Sequence, residues 1–269
     1  AHERRQGKAP SFKGDGMAPI VHHPDVQRTL LSMQALTRAA RSIAYACAHA
    51  LDMAHASEGD ATRHWQDRAN LLTPLAKAFP TDVGVEVASM GVQVHGGMGF
   101  IEETGAASLL RDSRIAPIYE GTNGIQAIDL VTRKLPLDGG RHVTGYIAEL
   151  AALAGEVRRS NRDGFGRTAE ELERACADLT EVTAVLQALL AEGSNEEALA
   201  AATPYLRLFS LAAGGAYLAR AALSDESGAH TALCRFFAEN HLAETGALKS
   251  RCLNGADSLR AAAAGLFAA

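Results

Sequence analysis

Long apolar runs are missing from this chain. Wherever hydrophobic residues gather, an Arg, Glu or Asp interrupts them well short of the roughly 20 residues that a membrane-spanning helix needs, so no membrane partner is expected. The opening AHERRQGKAP has no apolar stretch of the kind a secretory signal carries. Positive charge is not in excess either. Lys and Arg number 26 against 31 Asp and Glu, a formal net charge of −5, which disfavours nucleic acid and anionic lipid as partners. The four cysteines, Cys47, Cys176, Cys234 and Cys252, stand far apart with no CxxC pair. That spacing argues against a zinc site or a redox dithiol and fits reduced core thiols in a cytoplasmic protein. The ten histidines include no HExxH or other ligand spacing, so no metal site is expected. No segment alternates apolar and polar residues for long enough to be a strand.

What is present is helix. With 47% of its 269 residues hydrophobic, the chain can bury a real core. From Asp25 to about Ala56, Val26, Leu30, Met33, Leu36, Ala40, Ile43, Cys47 and Leu51 fall in steps of three and four along one helical face. Pro24 and Asp25 suit its first turn, where a missing N–H costs nothing and a carboxylate meets the positive end of the dipole. Asp60 predicts the cap of a second helix over 61–79, and a third over 82–94 follows Pro80. The charged run His2 to Gln6 reads as the solvated end of a helix already in progress.

The glycines of VHGGMGFIEETG force a loop, since each costs roughly 1 kcal/mol inside a helix. Helix resumes over 106–115, stops at Pro117, and begins again at Gly121-Thr122 to run to Lys134. Pro136 with Gly139-Gly140 marks a domain boundary. Beyond it the chain is Ala-rich and helical, with an apolar stripe of Leu172, Cys176, Leu179, Val182, Leu186 and Leu189. Pro204 kinks or starts a helix there, and Gly214-Gly215 permits close approach of a neighbour. The expected fold is all-α: a four-helix-bundle-like module over 1–136 and a second helical module over 137–269.

Two stretches carry candidate chemistry. GGMGF has neither the GxGxxG order and preceding strand of a dinucleotide fold nor the GK[ST] of a P-loop. Gln93, His95 and the bare backbone of Gly96-Gly97 could still face a phosphate or ribose, or simply form a tight turn between helices. In PIYEGTNGIQ, Glu120 is open to two readings. It is a favourable charge near a helix start, worth roughly 0.3–1 kcal/mol, or a base whose pKa is raised by apolar walls formed by Tyr119, Ile115, Ile118 and Ile125.

Together, ERRQGKAP, QVHGGMGF and LLRDSRIAPIYEGTNGIQ, in that order and with helices between, resemble the C-terminal part of the acyl-CoA dehydrogenase family over residues 1 to about 135. The tail after RKLPLDGG resembles the larger bacterial members that carry an additional C-terminal helical domain. The resemblance implies an FAD-dependent enzyme that desaturates the α,β bond of an acyl-CoA thioester and passes electrons to an electron-transfer flavoprotein or similar acceptor. It matches Glu120 to the catalytic base, with Tyr119 and Gly121 beside the substrate. The backbone N–H of Glu120 matches the donor to the thioester carbonyl.

The same resemblance matches Thr122 to a flavin contact, Gln93, Gly96 and Gly97 to the loop holding the adenosine and pyrophosphate of FAD, and Arg4 to an arginine that reaches the pyrophosphate. In the family the contacts from this loop and arginine go to the flavin of a neighbouring subunit, which implies a homo-oligomer, a dimer or tetramer. The family's first helical domain and its β-domain have no counterpart in this chain. A fragment is therefore expected, binding FAD weakly or not at all by itself, with apolar surface bared on the helices of residues 25 to 94. The rival reading is a non-catalytic helical assembly or interaction module that keeps the family scaffold.

Overall fold

The computed structural model describes residues 1–267, so the last two residues of the 137–269 module lie outside it. Two long helices, α1 (Pro24–Ala56) and α2 (Asp60–His95), pack along each other as an antiparallel hairpin. The buried face of α1 runs through Ala35, Leu36, Ala39, Ala40, Ile43, Cys47, Ala50 and Ala54. Four members of the expected stripe are there. Leu51 instead points outward and the alanines take its place, because small side chains let neighbouring helices come close.

Three expectations fail here. The chain does not break at Pro80: α2 runs through both Pro74 and Pro80 as one helix. A proline in a helix strands backbone carbonyls, and around Pro80 side chains occupy the backbone. Thr81 Oγ1 lies 2.9 Å from both Lys77 O and Ala78 O, and Asn123 Nδ2 donates to Ala78 O at 3.1 Å. Asp60 is the first helical residue rather than the cap; Gly59, with φ 61°, holds the cap position. Residues 1–8 are not helical either. They run back along residues 17–21, with Gln6 N donating to Ala18 O, Ala18 N to Gly7 O and Ile20 N to Arg4 O at 2.8–2.9 Å, and a single β-bridge joins Arg5 to Pro19.

After α2 come a single turn, α3 (Gly97–Phe100), then α4 (Ala106–Ser113) and α5 (Asn123–Asp129), which widens into a π-helical turn over Leu130–Lys134. The glycine stretch thus contains one helical turn where a plain loop was expected. Gly99 makes it possible, since a Cβ there would stand 2.2 Å from the carbonyl oxygen of Val92. Asp138, Gly139 and Gly140 all take positive φ, reversing the chain into α6 (Arg141–Ser160). The remaining helices are α7 (Thr168–Ala191), α8 (Asn195–Ala200), α9 (Ala202–Leu223), α10 (Ala229–Asn240) and α11 (Thr245–Phe267). The architecture is all-α, with no strand among the described residues.

The hub is α9, apolar over most of its length and therefore largely buried, with only Thr203, Arg220 and Ala221 exposed. It packs on α1, α2, α5, α6, α7, α10 and α11, and one continuous core runs past residue 136 through both halves. Both of its tyrosines are satisfied internally: the Tyr205 and Thr183 hydroxyls lie 2.7 Å apart, as do those of Tyr217 and Tyr146. Pro204 stands in its first turn, where no N–H is needed. Among the described residues no helix is long and apolar enough to cross a membrane.

Candidate active site

The segment between α4 and α5 is short and tightly wound. Tyr119 N donates to Ile115 O at 3.1 Å, Asn123 N reaches back to Pro117 O at 3.0 Å, and Pro117 is buried beneath them. At the crest of this turn Glu120 adopts φ 55° and Gly121 φ 80°. The left-handed region suits Gly121, whose missing Cβ also avoids a 3.3 Å contact with Gln126 Nε2. For Glu120 it costs roughly 1–2 kcal/mol. Such strain persists only where the surroundings impose it, and it gathers at functional sites.

Thr122 caps α5, its Oγ1 accepting from Ile125 N at 3.3 Å. Glu120 therefore stands outside the helix, two residues before the cap. Its carboxylate is exposed and makes no hydrogen bond or ion pair among the described residues, and its backbone N–H likewise finds no acceptor. The apolar walls expected around it are present but open. Ile115, Ile118, Tyr119 and Ile125 are each at least half exposed, so this chain by itself does not enclose the carboxylate. Met98, Phe100 at 81% exposure and Leu109 at 70% are bared too, so residues 98–128 carry more exposed large apolar side chains than residues 25–94, where Leu31, Tyr45 and Leu51 are exposed.

Sequence reasoning passed over the residues that fasten this turn. Lys77 Nζ, on α2, donates to Gly121 O at 2.8 Å and to Asn123 Oδ1 at 2.9 Å. Asn123 Nδ2 donates to Asp82 Oδ1 at 2.7 Å and to Thr81 Oγ1 at 2.9 Å. The polar Asn123 directly after the cap was a visible signal. Lys77, 44 residues before Gly121, left none.

A second locus lies at the far end of α2. Arg4, Gln93, Gly96 and Gly97 line one cleft of about 640 Å³, together with Gln6, Thr29, His95 and Asp25. His95 Nδ1 is held by Gly91 O at 2.7 Å. A guanidinium, two side-chain amides and glycine backbone around open space, with one acid among them, make a donor set that fits the phosphate-bearing end of a dinucleotide cofactor. No atom stands within 4 Å of the position a Cβ would take at Gly96 or Gly97, so the glycine backbone is open to approach. Thr122 does not join this cleft. Lys77, under the Glu120 turn, and Gln93, at the cleft, are sixteen residues apart on α2, about 24 Å at the rise of an α-helix.

The two halves of the chain match two family models. Residues 12–135 match the acyl-CoA dehydrogenase C-terminal domain, and residues 144–263 match the acetyl-CoA dehydrogenase C-terminal-like domain. A 3-methylmercaptopropionyl-CoA dehydrogenase of Ruegeria pomeroyi is 39% identical over 96% of this chain and 46% of its own length. The broad-specificity linear acyl-CoA dehydrogenase FadE5 of Mycobacterium tuberculosis is 30% identical over 70% of this chain and 31% of its own. Among solved structures, Caenorhabditis elegans ACDH-11 in complex with C11-CoA superposes with a TM-score of 0.66 at 21% identity, covering 97% of this chain and 42% of that one. An acyl-CoA dehydrogenase of Bacillus anthracis complexed with FAD gives 0.66 at 20% identity, over 94% and 46%. These two likenesses concern the fold. The chain spans less than half the length of each of these proteins. By both of its halves, the chain belongs among the C-terminal domains of the acyl-CoA dehydrogenases.

Proposed function

We propose that this chain is the C-terminal helical part of an FAD-dependent acyl-CoA dehydrogenase, built of a 1–136 module and a 137–269 module, with Glu120 as the base for α,β-desaturation of an acyl-CoA thioester. The observation that carries the reading is the Glu120 backbone: a strained, left-handed glutamate held outside the helix, with both its carboxylate and its N–H unpartnered. In this reading the carboxylate takes a proton from Cα. The N–H donates to the thioester carbonyl and stabilises the negative charge that develops there. FAD, when bound, supplies the acceptor for the hydride leaving Cβ, so two C–H bonds break as the Cα=Cβ bond forms. Tyr119 and Gly121 flank the substrate.

Arg4, Gln93, Gly96 and Gly97 would hold the pyrophosphate and adenosine end of FAD, and Thr122 the flavin end. The distance along α2 between these two groups favours a homo-oligomer in which the Arg4 cleft serves a neighbouring subunit's cofactor. A cytoplasmic enzyme passing electrons to an electron-transfer flavoprotein or similar acceptor completes the reading.

The test is Glu120→Gln in the flavin-loaded protein. Flavin content and fold should persist while bleaching of the flavin by acyl-CoA, followed by rapid mixing, slows by ~10²–10⁴. Bleaching within a few-fold of the parent would remove Glu120 as the base and leave it a charge near the start of α5.

A further inference from the structure

The geometry points to Lys77 and Asn123 as positioning residues that hold the Glu120–Gly121 turn in its left-handed form, an inference that rests on the reading of Glu120 as the base. Gly121 takes φ 80° freely, but Glu120 at φ 55° stays there only where its surroundings hold it. Two side chains reach the carbonyls of these residues. Gln126 donates to Glu120 O at 3.3 Å from within the same short segment. Lys77 donates to Gly121 O at 2.8 Å from α2. It is the shorter bond, it carries a full charge, and it anchors the turn to a helix of 36 residues.

Lys77 is aimed by Asn123. The amide oxygen of Asn123 accepts from Lys77 at 2.9 Å and lies 3.2 Å from Thr81 Oγ1, while its nitrogen reaches Ala78 O, Thr81 Oγ1 and Asp82 Oδ1. Both ends of the amide are thus engaged, the oxygen by Lys77 and the nitrogen by acceptors on α2. Lys77 has no carboxylate partner among the described residues; its half-buried ammonium is spent on two dipolar oxygens, one of them the turn's own backbone. Asn123 also occupies backbone near Pro80, so the site where α2 would otherwise weaken is the site that carries the turn.

The experiment has two arms. In the chain itself, amide hydrogen exchange is measured in Lys77→Met, Asn123→Ala and Lys77→Arg. Exchange at the two hydrogen-bonded amides of the turn, Tyr119 and Asn123, should rise about 10- to 100-fold in the first two, with the α9 amides of 205–219 unchanged. Lys77→Arg, which keeps a charged donor, should restore most of the protection. In the flavin-loaded protein, the same first two variants should keep flavin content and lose about tenfold or more in the flavin reduction rate with little change in KM for acyl-CoA. Unchanged exchange at the Tyr119 and Asn123 amides overturns the inference. So does an equal rise across α9, which would mean general destabilisation, and so does local loosening with an unchanged reduction rate. Failure of the base assignment would appear separately, as normal bleaching in Glu120→Gln.

Discussion

Arg68 grips the carboxylate of Glu149 with both terminal nitrogens, at 2.7 and 2.9 Å, and so ties α2 to α6 across the two halves of the chain. The guanidinium also lies 4.3 Å over the ring of Tyr146, whose hydroxyl meets that of Tyr217 at 2.7 Å. The Arg68 side chain is buried while Glu149 is half exposed, so removing the acid strands a buried cation that water partly reaches. Glu149→Ala should cost about 1–3 kcal/mol by denaturant unfolding. Arg68→Met with Glu149→Leu should recover most of that. A double variant no better than the single one would mean that the pair contributes something an apolar contact cannot.

Gly214 lets α9 lie against α1. A Cβ there would come within 2.9 Å of the Ala39 Cβ. Overpacking of this kind costs typically 1–3 kcal/mol, so Gly214→Ala should lower stability by about that much. Adding Ala39→Gly should return part of it, because the clash is between those two carbons. Thermal unfolding of the three variants checks the pairing.

The cysteines should be silent in the folded chain. Burial pushes the Cys176, Cys234 and Cys252 thiols up to about 12, and burial also raises Cys47, which has Thr73 as a weak partner. The thiolate is the reactive form. Maleimide near neutral pH should therefore label none of the four natively and all four in denaturant, counted by mass. Rapid native labelling of any one would place it outside the core.

His142 should make the fold sensitive to acid. Burial first, and the Arg68 charge second, lower its pKa below the ordinary 6.5, and its Nε2 is buried without a partner. Above pH 6.5 the ring is neutral folded or unfolded and has no linkage effect. As pH falls below that value toward the lowered folded one, the unfolded chain takes a proton that the native site refuses, and stability drops. His142→Gln should flatten the part of the pH–stability curve just below 6.5. An unchanged slope there would assign it to other groups.

The apolar surface of residues 98–128 should make the chain associate. Bared patches of this kind mark interfaces. We expect a dimer or larger species by light scattering at micromolar concentration, and Phe100→Glu with Leu109→Glu should shift it toward monomer. A parent chain already monomeric would count against the oligomer reading.

Period and punctuation made much of this protein legible in its sequence. The all-α class, the start of α1 at Pro24, the stop at Pro117 and the reversal at Asp138–Gly140 are local consequences of residue spacing and of glycine and proline geometry. The residues of the Glu120 turn and of the Arg4 cleft were visible as motifs because their chemistry sits in contiguous stretches. Tertiary structure decided the rest. Pro80 stands inside α2 with Thr81 and Asn123 side chains on the carbonyls of Lys77 and Ala78 beside it, and no local rule sees a partner 43 residues away. The first eight residues paired with residues 17–21 instead of forming a helix, since backbone groups that find partners across a turn need no helical ones. Lys77 became the anchor of the Glu120 turn only when α2 and α5 came together. The core ran on past residue 136 because α9, apolar over most of its surface, required neighbours from both halves to cover it.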